Sequence, residues 1–272
     1  MISLRQVIKE TYAILYWNII AKNKPSRPKK IYDSDKQLNI ILNGPSGKAY
    51  LEKLLDAPSI DKNIHYMVVN HFIIKWYELF QKLKPRYYVA IDPYYVTCTE
   101  WIDLIEAVTW KMTVIVNASY FYQFKNPNIS LYFLAPIEII RKSPILEILH
   151  MHNYCNVSLS NVSCSTILEG VRRGYGHIEL YGLDLSDYMK LSVDKNNHLL
   201  NVAEHSYEDE EDTKIMDLYE YYPKIIDKWK VQIVNYNSYY LTEEYARKRK
   251  IRIFNMNPNS LVDAFEKRTY EE

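Results

Sequence analysis

The stretch that decides the fold is LNIILNGPSGKAYLEKL, residues 38–54. Its apolar run (Leu38, Ile40, Ile41, Leu42) stops at Asn43. A tight Gly44-Pro45-Ser46-Gly47 turn follows, and then apolar residues at helical spacing: Tyr50, Leu51, Leu54, Leu55. Strand, glycine turn and helix in that order aim backbone N–H groups at an anion. Neither familiar phosphate pattern accounts for the turn. A Walker loop needs a Gly four residues ahead of Gly-Lys and a Ser or Thr after it. Leu42 and Ala49 occupy those places, and G-x-G-x-x-G is absent. The turn can hold a nucleotide, but by a pattern of its own.

Downstream, strands and helices alternate. Strands are predicted at 38–42, 64–70, 86–91, 113–117, 130–135, 177–182 and 250–255. Helices are predicted at 47–55, 73–83, 99–110, 137–149, 163–174, 213–221, 224–248 and 259–267. Several strands are unbroken apolar runs, the pattern of a sheet covered on both faces. This predicts an α/β fold: a Rossmann-like, doubly wound, mostly parallel sheet. Ligands of such sheets sit at the carboxyl ends of the strands, where the strand order reverses. The residues just past the predicted strands are Asn43–Ser46, Asn70-His71, Asp92, Asn117, Asp184 and 255–259. Nearly all are amides or acids. Asn and Asp are ordinary turn residues, so the signal lies in their recurrence along one edge. Amides and an acid suit ribose and base better than a triphosphate, which calls for cations or a metal.

The 272-residue chain carries a formal charge of +1, against the basic excess of a general nucleic-acid binder. Tyr is frequent (26) and Gly scarce (6). Three cysteines without a C-x-x-C pair fit a reducing cytoplasm. Residues 1–37 form a separate segment: an apolar stretch from Tyr12 to Ala21, then a basic linker with Lys22, Lys24, Arg27, Lys29 and Lys30. The stretch is too short to span a bilayer, which takes about 20 apolar residues. Two readings stay open: a helix lying peripherally on the inner membrane surface, or one packed on the domain or on another subunit of a homo-oligomer.

Six pieces then occur in one order: "NGPS" after the first strand, "VNHF" after the second, "AIDPYY" after the third, "RGYGHIELYGLDLSD", "AEHS" and "RKRKIRIFNMNPNSLVDAFEK". Together, over about residues 38–267, they resemble the small bacterial sialyltransferases of glycosyltransferase family 42. The resemblance implies a metal-independent, inverting transferase within 38–272, with a lid at about 185–212. Its donor would be a CMP-activated sialic or other nonulosonic acid. Its acceptor would be a glycan of a surface polysaccharide or lipooligosaccharide. It would require no cofactor. Asn43, Gly44, Pro45, Ser46 and Asn70 would contact the nucleotide. Gly182, Leu183 and Asp184 would line the ribose and cytosine, and Asn259 and Ser260 would close the site. His205 of "EHS" would be the base.

The chain also departs from the family. Asp92 stands where the family has Asn, so it is expected to face a hydroxyl. Tyr188 and Ser186 stand nearest to the tyrosines that help the phosphate leave. "SLSNVS" (158–163) lacks the family's Arg. Alternatives are a related transferase using another nucleotide donor, or an inactive nucleotide-binding relative in a polysaccharide assembly complex.

The chemistry itself needs a base near neutrality, which suits His. His198 and His205 lie in a non-repetitive segment, where functional residues concentrate. The acidic run Glu208–Asp212 is expected to precede a helix rather than bind a metal, and "DLSD" is not D-x-D.

Overall fold

The computed structural model describes residues 4–28, 36–203, 214–218 and 220–269. Helix α1 (Leu4–Ile20) comes first. Strand β1 (Gln37–Ile41) leads through a short 3-10 turn (Pro45–Gly47) into α2 (Lys48–Asp56). Then follow β2 (Ile64–Val69), α3 (Phe72–Lys75), α4 (Tyr77–Leu83), β3 (Tyr87–Ala90), α5 (Thr99–Glu106), β4 (Met112–Asn117) and β5 (Ile129–Leu134). After α6 (Pro144–Met151) and α7 (Val162–Arg173) comes β6 (His177–Tyr181). Next are β7 (Ser192–Val193), β8 (Leu199–Ala203), β9 (Lys214–Asp217), α8 (Ile225–Lys248), β10 (Arg252–Asn255) and β11 (Glu266–Lys267).

Eight strands form one sheet in the order β11-β10-β6-β1-β2-β3-β4-β5, and every pairing in it is parallel. The α/β architecture is therefore as expected: a large parallel sheet flanked by helices, compatible with a Rossmann-like fold. The chain lays down β1 to β5 in one direction, then crosses back to place β6 on the other side of β1. The strand order reverses between β1 and β6, so a crevice opens past their carboxyl ends.

Both faces of the central strands are buried, which is why they read as apolar runs. On one face Leu38, Ile40 and Leu42 pack with Ile167, Leu168 and Val171 of α7 and Tyr239 of α8. On the other, Ile41, Val68 and Tyr88 pack with Leu51, Phe80 and Trp101 of α2, α4 and α5. Asn39 is a buried amide in the middle of β1. Its Nδ2 donates to the Tyr50 hydroxyl at 2.7 Å, and its Oδ1 accepts from Gln37 at 2.7 Å. Tyr50 stacks on Tyr181 at 3.5 Å between ring centres, and Tyr181 donates to Glu179 at 2.7 Å. Burial raises the Tyr50 pKa, so its hydroxyl stays neutral. Some of the abundant tyrosine thus supplies core surface with a satisfied polar tip.

Several sequence expectations need correction. The helix expected at 73–83 is broken at Trp76 into α3 and α4. The one expected at 137–149 starts only at Pro144: proline forces Ser143 into an extended conformation, φ −165°. Ahead of it, residues 137–139 instead bridge to Asn156 through two backbone hydrogen bonds. The helix expected at 213–221 is replaced, over its described residues, by β9 and a turn. The antiparallel partner β8 overrides local propensity there. No helix forms at 259–267. Asn255 and Asn257 bond the backbone N–H two residues on (3.2 and 2.9 Å), and Ser260 does the same to Val262 at 3.1 Å. Such local side-chain bonds compete with helix formation. Finally, β7, β8 and β9 form a separate antiparallel sheet. Its described strands run from Ser192–Val193 to Lys214–Asp217.

Candidate functional site

At the reversal of strand order lies a cavity of about 300 Å³, lined by residues 42–45, 160–163 and 182–186 and by Asn70. It is assembled from the loops after β1, β2 and β6 and from the start of α7. The first wall is the turn after β1. Leu42 N donates to Tyr181 O at 2.8 Å and Gly44 N to Gly182 O at 3.0 Å, so β1 and β6 stay zipped together into the turn. No larger residue fits here. A Cβ on Gly44 would lie 2.1 Å from Asp184 Oδ2 and 2.5 Å from Gly182 O. Gly182 has φ +75°, and its Cβ would lie 2.6 Å from Leu42 O.

Asp184 ties this wall together. Its buried carboxylate accepts from Ser46 N at 3.0 Å and from Asn257 Nδ2. Its carbonyl accepts from Leu261 N at 3.1 Å. Ser260, also buried, donates to Leu183 O at 2.6 Å, and Asn255 Nδ2 donates to the same carbonyl at 3.3 Å. The motifs "NGPS", "GLD" and "NPNS" are therefore one hydrogen-bonded unit, built from the loops after β1, β6 and β10. The Asp184 carboxylate is occupied in holding this unit, and Ser260 supports it from beneath.

Asn70, at the end of β2, forms the second wall. Its backbone is left-handed (φ 50°). Its carbonyl accepts from the Tyr88 hydroxyl, while its side-chain Oδ1 is buried without a hydrogen-bond partner. A buried, unpaired amide oxygen costs about 1–3 kcal/mol, and this one belongs to a residue that lines the cavity.

The third wall is the N-terminus of α7. Asn161 caps it, accepting from Ser163 N at 3.0 Å and Ser163 Oγ at 2.6 Å. Ser163 Oγ also pairs with the Tyr239 hydroxyl at 2.6 Å. The first turn carries no acidic residue, so the positive end of the helix dipole stands at the cavity uncompensated. In sequence, "SLSNVS" stands out for its missing Arg. The available signal was Asn161 just ahead of a helical pattern, the mark of an N-cap.

Other expected site residues stand elsewhere. Asp92 does not line the cavity: it is exposed, and its carboxylate caps the 3-10 turn Pro93–Val96 through Tyr94 N at 2.8 Å. That bond accounts for the acid without a ligand hydroxyl. Asn259 is exposed, its N–H bonded to Asn257. Tyr188 pairs with Tyr236 at 2.7 Å, and Tyr236 donates to Leu261 O at 3.0 Å. The turn after β6 is thereby tied to α8 and to the loop after β10. Desolvation raises the Tyr236 pKa, so its hydroxyl stays neutral. His205 and the run Glu208–Asp212 lie outside the described residues. His198 is half-buried and pairs with Asp217 Oδ2 at 2.9 Å. Carboxylate-oriented imidazole was not foreseen, because 19 residues separate the partners in sequence. His150 is buried and structural, between Tyr245 and Asn156 O.

A search of known family profiles, curated proteins and solved structures finds no match to this chain. Among the described residues there is no group of three or more His, Cys, Asp or Glu placed to hold a metal ion. A larger cavity, about 440 Å³, lies against α8, β10 and β11. The acids on its rim are engaged: Glu243 with Arg247 at 3.4 Å and Glu266 with Arg268 at 2.9 Å. The carboxyl-edge cavity is the stronger candidate, because three separate loops converge on it and one of its amides lacks a partner.

Proposed function

We propose that this chain is a glycosyltransferase of the family 42 type: a doubly wound Rossmann-like domain that moves a sugar from a nucleotide donor to a glycan acceptor. The observation that carries the reading is the Asn70 amide oxygen, buried and unpaired, on a cavity shared by the Asn43–Pro45 turn and the N-terminus of α7. The amide suits a donor group on base or ribose, and the helix N-terminus suits a phosphate or carboxylate. In this reading the segment at about 185–212 is the lid. The donor is a CMP-sugar carrying sialic acid or a related nonulosonic acid, no metal takes part, and the chain works on the cytoplasmic side. The acceptor belongs to a surface polysaccharide or lipooligosaccharide.

The reaction is a displacement. The acceptor oxygen attacks the anomeric carbon, the bond from sugar to phosphate breaks with inversion, and the acceptor proton passes to a histidine. His205 is the proposed base. His198 is the comparison, because Asp217 orients its ring. The test measures transfer from CMP-sugars and nucleotide affinity for His205→Ala and His198→Ala. A base contributes about 10²- to 10⁴-fold. His205→Ala should lose transfer on that scale while binding nucleotide normally, since a base acts in the transition state. If His198→Ala shows that loss instead, the base is the His198–Asp217 pair. If the wild type binds no nucleotide, the reading fails altogether.

A further inference from the structure

We propose that the outward face of α1 is a docking surface for an anionic phospholipid bilayer. The inference stands on α1 itself and does not rest on the transferase reading.

The helix is fixed to the body. Ile14 is buried with Ile139, Leu146 and Cys155. Asn18 Nδ2 donates to Tyr154 O at 2.9 Å, and the Glu10 carboxylate is paired with Arg141. The chain beyond it is fastened too: Asn23 N donates to Ala118 O at 3.1 Å and Ser26 N to Phe133 O at 2.9 Å. The side of α1 that faces away from the body is therefore defined. On it Ile19 is 79% exposed, Tyr12 66%, Ile8 60% and Leu15 59%. A soluble surface spreads such residues singly; here four large ones share one helix face, spaced by three or four residues. No helix among the described residues is long and apolar enough to cross a membrane, so the geometry is that of a helix lying in the interface.

Charge selects the occupant. Arg5 and Lys9 are exposed and fall in register with Tyr12 and Tyr16 at helical spacing, and Lys22 and Lys24 follow, also exposed. Glu10 is the one acid in Leu4–Ile20, and its pairing with Arg141 takes it to the inner side. A second copy of the chain would bring Arg5 and Lys9 against an identical cationic face with no acid to pair. Lipid phosphates supply the missing negative charge, the long cation stems reach up to them, and Tyr12, Tyr16 and Trp17 are the residue types that favour the headgroup level.

The test floats the full-length chain on phosphatidylcholine vesicles with and without phosphatidylglycerol, at low and high salt. The wild type should bind the anionic vesicles and release as salt screens the attraction. Replacing both Ile8 and Ile19 with Asp should lower partitioning about tenfold or more, since each loses apolar burial. Arg5→Gln and Lys9→Gln should each lower it about fivefold. These side chains are exposed, so thermal melts should match the wild type. Absence of binding, binding equal on neutral vesicles and insensitive to salt, or variants that float like the wild type would each overturn the proposal. So would an oligomer that Ile19→Asp dissociates while the vesicles stay bare, which would make the face a self-association surface.

Discussion

The hydrogen-bonded unit around Asp184 can be tested by exchanging its acid and its amide. Asp184 accepts from two donors, Ser46 N–H and Asn257 Nδ2. Asn257 in turn uses its Oδ1 to accept from Asn259 N–H at 2.9 Å. Asn257→Asp keeps the bond from Asn259 but turns an oxygen toward the Asp184 carboxylate. Two like charges at 4 Å repel by about 4 kcal/mol at an effective dielectric of 20. The lost bond to a charged acceptor adds about 1.5–3 kcal/mol. Part is recovered when the pair binds a proton, so a net loss of about 3–5 kcal/mol is expected at neutral pH. At about 2–4 °C per kcal/mol for a chain of this size, the melting temperature should fall by roughly 6–20 °C. The folded pair binds that proton more tightly than the unfolded carboxyls, whose pKa is about 3.9. The deficit should therefore shrink as pH drops from 7 toward about 4. Asp184→Asn alone costs less, about 1–3 kcal/mol, since one donor loses its acceptor. The double exchange Asp184→Asn/Asn257→Asp satisfies every group again: residue 184 accepts from Ser46 and donates to residue 257, which still accepts from Asn259. It should melt within a few degrees of the wild type. Thermal and urea unfolding of all four proteins measures the coupling. A double variant as unstable as the two single losses added together would refute the network.

Three further outcomes are expected. Asn70→Gly, which keeps the left-handed backbone, should weaken nucleotide binding by about 1–3 kcal/mol in calorimetry if a ligand donor satisfies the buried amide oxygen; unchanged affinity would remove Asn70 from the site. Gly182→Ala must place a Cβ 2.6 Å from Leu42 O at φ +75°, so a loss of about 3 kcal/mol or more is expected in urea unfolding, and wild-type stability would show that β1 and β6 are not joined at this turn. Burial, reinforced by the charge of Arg172, pulls the His150 pKa down to about 4, so protonation favours the unfolded chain, whose histidine has a pKa of about 6.5; stability is lost as pH falls from about 6.5 to about 4, about 2 kcal/mol of it by pH 5, and a melting curve for His150→Gln should lack that share of the pH dependence.

The parallel sheet was legible in the sequence because burial on both faces writes itself as apolar runs. All seven strands expected in the sheet form, with ends within two residues. The carboxyl edge was legible for a related reason: Asn and Asp gather where strands stop and chains turn, and Asn43, Asn70 and Asp184 do come together. The helices at 213–221 and 259–267 were misread because apolar residues at helical spacing say nothing of partners. In the first, β8 supplies a ladder; in the second, Asn255, Asn257 and Ser260 bond the backbone before a helix can. Tertiary structure alone decided which edge residues share a cavity. Asp92 and Asp184 each follow a strand, but Asp92 caps its own turn while Asp184 reaches across to Ser46 and Asn257. It also decided which face of α1 is turned outward. Apolar on both sides in sequence, the helix shows its inner and outer faces only once Ile14, Asn18 and Glu10 have found partners more than a hundred residues away. Periodicity reports which residues leave water, and only the packed chain reports what they leave it for.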